Sequence, residues 1–182
     1  MHKGISISLL LTSGLMAALT VVGGFIRIPA LPVAFSLQTF FVYLSGVMLP
    51  NPWAPISQLI YIALGLMGLP VFSAGGGPGY ILHPTFGFLL GFPMASAMVA
   101  RYARKNSAAQ YAVVFGVAYL LLSMTGVAYL YCNLRWIVGA PVSFSKAVFS
   151  GFLFFVPSEC IKIGLAAVLA VRLAPYKKWN RL

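Results

Sequence analysis

Six apolar stretches follow one another along the chain, each ended by proline, glycine or charge. They run about Ile5 to Phe25, Phe35 to Leu49, Trp53 to Leu69, Pro84 to Ala100, Ala112 to Tyr131 and Ala147 to Leu173. A bilayer is crossed by about 20 apolar residues in a helix, so stretches of this kind read as membrane spans. Composition leaves no soluble alternative: hydrophobic residues make up 61% of the 182 and charged residues 7%, too few to cover a water-facing surface. Residues 1–182 therefore read as one membrane domain, an all-α bundle of six transmembrane helices. His2 and Lys3 followed by an apolar run resemble a signal peptide, but more hydrophobic sequence follows and no convincing cleavage site appears; a retained first span is expected.

The second and third spans are short. At 1.5 Å per residue, about 15 residues cover only ~22–25 Å of a ~30 Å hydrocarbon core. Pro50-Asn51-Pro52 separates them, and Pro70 and the Ser73–Gly79 loop follow. Irregular backbone at membrane depth is tolerated where it lines a cavity, so a pocket near one membrane face, capped by loops, is expected. With six spans, Lys3, Arg101, Arg104, Lys105, Arg172, Lys177, Lys178 and Arg181 fall on one side, and Arg27, Arg135 and Lys146 on the other. Cytoplasmic loops carry the excess of Lys and Arg, which puts both termini in the cytoplasm and opens the pocket outward. The net charge of +11 thus reflects topology and anionic-lipid contact, with no basic stripe of the kind that binds nucleic acid.

The one acidic residue, Glu159, lies inside an apolar segment, three residues before Lys162. That spacing puts both on one helix face. Ionisable groups at membrane depth are costly and normally line a cavity or pathway, which makes this pair the first candidate for ligand contact; a structural ion pair holding the last span is the alternative.

Catalysis is poorly supplied. With no aspartate, one glutamate and only His2 and His83, neither a carboxylate dyad nor a His-Asp relay can be built, so the chain is not read as an enzyme. His83, Glu159 and the cysteines Cys132 and Cys160 lack metal-ligand spacing, and no metal or cofactor is expected. A GxxxxGK[ST] phosphate loop is absent; the Gly75–Gly79 run reads either as a flexible turn or as backbone, that of Gly76 included, approaching a ligand. Ser13 with Ala17, and Gly14 with Ala18, form small-xxx-small pairs in the first span, suited to internal packing or to docking another membrane subunit.

Several segments in order resemble the BioY family of biotin transporters: Phe35-Ser36-Leu37-Gln38-Thr39, Leu44-Ser45-Gly46, Tyr61 to Phe72, Pro84 to Phe92, and Phe155-Val156-Pro157-Ser158-Glu159-Cys160-Ile161-Lys162. The last resembles that family's F-x-P-G-D-x-x-K signature, with Ser158 and Glu159 in place of glycine and aspartate. The resemblance covers about residues 10 to 173. It implies the six-helix fold of a substrate-binding (S) component of an energy-coupling factor transporter in a prokaryotic cell membrane. It further implies biotin as ligand, and as partners a transmembrane coupling subunit and two cytoplasmic ATPases, with Gly14 and Ala18 as the docking face. An S component or a solitary transporter for another small vitamin would share the fold.

Biotin's ureido ring offers two N–H donors and a carbonyl acceptor. Glu159 suits the donors, Lys162 can neutralise Glu159 or donate to the ureido oxygen, and Gln38 and Asn133 offer both kinds of group. Phe35, Tyr80 and Tyr129 are candidates to flank the fused rings.

Overall fold

Proline and glycine divide the chain into helices of unequal length, and the short ones shape the interior. The computed structural model describes residues 7–28, 35–103 and 107–176. Its helices are α1 (Ile7–Phe25), α2 (Gln38–Met48), α3 (Trp53–Leu66), α4 (Phe86–Tyr102), α5 (Ala108–Cys132), α6 (Phe144–Gly151) and α7 (Val156–Leu173). A two-residue antiparallel ladder joins β1 (Arg27–Ile28) to β2 (Phe35–Ser36), with Arg27 opposite Ser36. Ile5, where the first span is expected to begin, and the basic residues Lys3, Arg104, Lys105, Lys177, Lys178 and Arg181 lie outside the described residues.

The architecture is the expected all-α bundle. Among the described residues three helical stretches, Ile7–Phe25, Ala108–Ile137 and Phe144–Tyr176, are long and apolar enough to cross a membrane. At 11 and 14 residues, α2 and α3 reach only about 17 and 21 Å. The chain between α3 and α4 completes that part of the bundle as turns, a Phe72–Gly75 bridge and a 3-10 segment over Pro78–Leu82.

The region read as a single sixth span has a different form. Helix α6 ends at Gly151, the backbone breaks at Phe152 (φ −130°, ψ −68°), a 3-10 turn covers Leu153–Phe155, and α7 starts afresh. Pro157 supplies the reason. It has no N–H to give the carbonyl four residues back, and its ring would clash there, so it is best placed in a helix's first turn, although α4 accommodates Pro93 in its interior. Pro157 occupies that first turn in α7.

Helices α4 and α5 make the most extensive pairing. A Cβ on Gly87 would lie 2.1 Å from Tyr129 Cβ, and one on Gly91 2.9 Å from the Leu122 Cα. Only glycine lets the two backbones approach this closely. In α1 the small residues divide by face: Ser13 and Ala17 are buried in the bundle, whereas Gly14 and Ala18 are exposed. Tyr43, Tyr61, Tyr111 and Phe115 fill the centre, completely buried, while Leu11, Leu15, Met124 and Leu165 point outward, as side chains facing lipid do.

Candidate ligand site

The restart of α7 sets the position of Glu159. The residue lies in the helix's first turn, where unpaired backbone N–H groups favour a negative charge. Ser158 turns back on its own chain, donating to the Phe155 carbonyl at 2.9 Å. Glu159 and Lys162 are both buried, at 3% and 7% exposure, and form an ion pair.

Helix α2 supplies the rest of the polar cluster. Thr39 donates to Glu159 Oε1 at 2.9 Å, and Tyr43 donates to Oε2 at 3.0 Å. Lys162 Nζ donates to Glu159 Oε1, to Thr39 Oγ1 at 2.9 Å and to the Ser36 carbonyl at 3.0 Å. An ammonium has three donors, so those of Lys162 are all engaged. Its arrangement is that of a counter-charge fixing the carboxylate. Glu159 accepts two bonds on Oε1 and one on Oε2, which leaves room on Oε2 for another donor. Gln38 is fixed beside them: its Nε2 donates to the Tyr61 hydroxyl at 2.5 Å and its Oε1 accepts from Ser36 Oγ at 3.1 Å.

This cluster forms one wall of a narrow cavity of about 70 Å³. Phe88, Leu89 and Phe92 of α4, Tyr119 and Leu122 of α5, and Phe155 make the apolar walls, and Ser73 and Thr85 add hydroxyls. A largely apolar lining with convergent polar groups is the composition of a small-molecule site.

Of the residues singled out in the sequence, Glu159, Lys162 and Gln38 line this cavity. The others stand behind it. The Phe35 ring packs 4.6 Å from that of Phe155. Tyr80 shares hydrogen bonds with Ser73 (3.3 Å) and Thr85 (3.1 Å), and its ring lies between those of Phe72 and His83. Asn133 donates from Nδ2 to the Leu82 carbonyl at 2.8 Å, and Tyr129 donates to the Ile81 carbonyl, so α5 holds the 3-10 segment that follows the glycine loop. The Asn133 Oδ1 is buried and accepts no hydrogen bond.

Gly76 answers to its own loop: a Cβ there would meet the Leu69 carbonyl oxygen at 2.0 Å. Gly75 and Gly77 hold positive φ angles of 119° and 102°. Among the described residues no group of three or more His, Cys, Asp or Glu side chains comes together as a metal site would require.

Thr39, Tyr43 and Ser36 were not singled out by the sequence as site residues, although Ser36 and Thr39 lie inside a segment that carries the family resemblance. Part of the signal was present. Residues 39 and 43 stand four apart, which puts two hydroxyls on one face of α2; Ser36, in the strand before it, takes part through its backbone carbonyl, which no residue-type pattern marks.

Residues 1–178 match the model of the BioY family. A probable biotin transporter BioY of Lysinibacillus sphaericus is 37% identical over 163 residues, covering 87% of this chain and 83% of the relative. The biotin transporter BioY of Thermotoga maritima is 36% identical over 166 residues, covering 90% and 94%. Among solved structures, the S-component for biotin from an ECF-type ABC transporter shares the fold with a TM-score of 0.78 over 95% of this chain and 94% of that one, at 24% identity.

Proposed function

The chain belongs to the BioY family, and we propose on that basis that it is the biotin-binding membrane subunit of a vitamin uptake transporter. It carries out no chemical step; its work is to bind and release. The observation that carries the reading is the buried Glu159 carboxylate on a cavity wall, held by Thr39, Tyr43 and Lys162 with an acceptor position to spare. In this reading Oε2 of Glu159 accepts a ureido N–H, and the second Nε2 hydrogen of Gln38 serves the ureido oxygen. Phe88, Phe92 and Phe155 cover the fused rings. Lys162 acts by holding the Glu159 carboxylate in place as its ion-pair partner. Phe35, Tyr80, Gly76 and Asn133 act one layer out, by shaping the wall and the loop above it, and the unpartnered Asn133 Oδ1 is a further acceptor toward that loop.

The finer assembly is part of the same proposal. The chain sits in a prokaryotic cell membrane with both termini cytoplasmic. A transmembrane coupling subunit and two cytoplasmic ATPases energise it. Arg101 and Arg172 at the C-terminal ends of α4 and α7, the ends remote from the cavity loops, support this orientation. The exposed Gly14 and Ala18 face of α1 supports the docking role. Equilibrium binding of radiolabelled biotin to the purified chain, with unlabelled thiamine, riboflavin and biotin as competitors, tests the ligand. Biotin alone should displace the label. Displacement by another vitamin at equal concentration would reassign the site.

A further inference from the structure

We propose that the crevice between α5 and α6 holds one acyl chain of an anionic phospholipid, with Arg135 facing its phosphate. The groove is separate from the ligand cavity. Leu120, Met124 and Val127 of α5 form one side, and Phe144, Val148 and Phe152, four residues apart along α6 and its end, form the other. Its volume of about 370 Å³ equals that of roughly a dozen water molecules. Its lining is apolar except for Ser123, so water would find almost no hydrogen-bond partner there. Both helices belong to stretches apolar and long enough to cross the bilayer, and the groove is open on its outer side to exposed Leu120, Met124 and Phe144, so hydrocarbon is what meets it.

The charge at its head selects the headgroup. Arg135 donates from Nη1 to the Tyr131 hydroxyl at 3.3 Å and lies 5.9 Å from that ring's centroid. The Tyr131 ring in turn stands edge-on to Phe144 at 5.6 Å, which brings the guanidinium to the end of the groove. Trp136, 70% exposed, packs on the same tyrosine at 6.4 Å, as an aromatic at the membrane–water boundary does. Lys146, two residues after Phe144, lies on the other side of α6 beside Ser145 and Phe149 and takes no part. The sequence holds one acidic side chain, and Glu159 is already paired with Lys162. No side-chain carboxylate of this chain remains for Arg135. A lipid phosphodiester with net negative charge supplies the missing counter-ion.

Native mass spectrometry of the full chain in detergent tests this, with phosphatidylglycerol and phosphatidylcholine of matched acyl chains as probes. One phosphatidylglycerol should be retained, roughly fivefold more tightly than phosphatidylcholine, the effect of one surface cation. Ala128→Trp, which fills the groove from an exposed position on α5, should abolish retention of both lipids while the protein still melts cooperatively. Arg135→Gln should leave retention but remove the preference; because the position is exposed, this variant tests the headgroup even should the tryptophan variant fold poorly. A preference that survives in it overturns the role of Arg135. Equal retention of the two lipids by the parent chain overturns the proposal. So does undiminished binding in a folded Ala128→Trp variant. Efficient cross-linking of Met124→Cys chains to each other, with loss of lipid, overturns it too and assigns the groove to a second copy.

Discussion

The Tyr43 hydroxyl on α2 donates to Oε2 of Glu159 on α7 across 3.0 Å, with both side chains buried. This bond links two helices that are 116 residues apart in the chain at the one place where the bundle contains a carboxylate. A hydrogen bond to a charged group contributes about 1.5–3 kcal/mol. Tyr43→Phe keeps the ring stacked on Phe115 and removes only that donor. Its unfolding free energy in detergent should drop by about that amount. A melt identical to the parent's would mean that the hydroxyl contributes nothing to the carboxylate.

Glu159→Gln preserves an acceptor oxygen but removes the charge that balances Lys162. Lys162 retains the Ser36 carbonyl and Thr39 hydroxyl, so the variant should still fold. Biotin affinity should weaken roughly 10–100-fold, the loss of one charge-assisted hydrogen bond. Unchanged affinity in isothermal titration would reduce the ion pair to a structural tie.

Asn133→Ala removes the bond from α5 to the Leu82 carbonyl and leaves the cavity wall untouched. The effect should therefore appear in the loop. Biotin should dissociate several-fold faster with little change in association rate, since most affinity differences within one site reside in the off-rate. Stopped-flow kinetics separates the two; a change confined to association would show that the loop tie acts on entry instead.

Gly14→Leu combined with Ala18→Leu adds bulk to an exposed face of α1, where a Cβ on Gly14 meets nothing within 4 Å. Biotin binding by the isolated chain should be retained. Copurification with the coupling subunit, and uptake in cells, should collapse because close helix approach is blocked. If binding is lost while copurification persists, the docking face lies elsewhere on the bundle.

His83 gives the fold a pH dependence. Burial lowers its pKa below the ordinary 6.5, because the charged form is disfavoured there. Its Nδ1 also accepts from the Thr85 backbone N–H at 3.3 Å, which a protonated ring cannot do. The unfolded chain therefore takes up a proton at higher pH than the folded one. The stability held by neutral His83 is complete above pH 6.5 and is lost progressively as pH falls below it. Melting temperature should decline from pH 7 toward pH 5, and His83→Gln should flatten that part of the slope. An identical slope in the variant would assign the acid sensitivity to another group.

Much of the fold was legible because membrane helices announce themselves locally. Apolar runs set α1, α4, α5 and α7, and Pro50, Pro52 and Pro70 mark where the short helices stop. The break before α7 was not read from the sequence: Pro157 marks it, but Pro93 sits inside α4 without ending that helix, so a proline in an apolar run does not by itself place a break. The α4–α5 contact was written in the i, i+4 pair Gly87 and Gly91, but small residues occur in α1 as well, and spacing alone cannot say which face turns inward.

What the sequence determined by itself, then, was everything that depends on composition and near-neighbour spacing. It put the chain in the membrane as a helical bundle, denied it the groups for catalysis, and set Glu159 and Lys162 on one helix face. Only the tertiary structure decided what holds that pair. Thr39 and Tyr43 reach Glu159 across 120 and 116 residues, and Tyr80 and Asn133 fall behind the cavity wall and not on it. Hydrogen-bond partners at such separation follow from how helices pack side by side, which is set by steric fit between faces rather than by any local pattern along one of them.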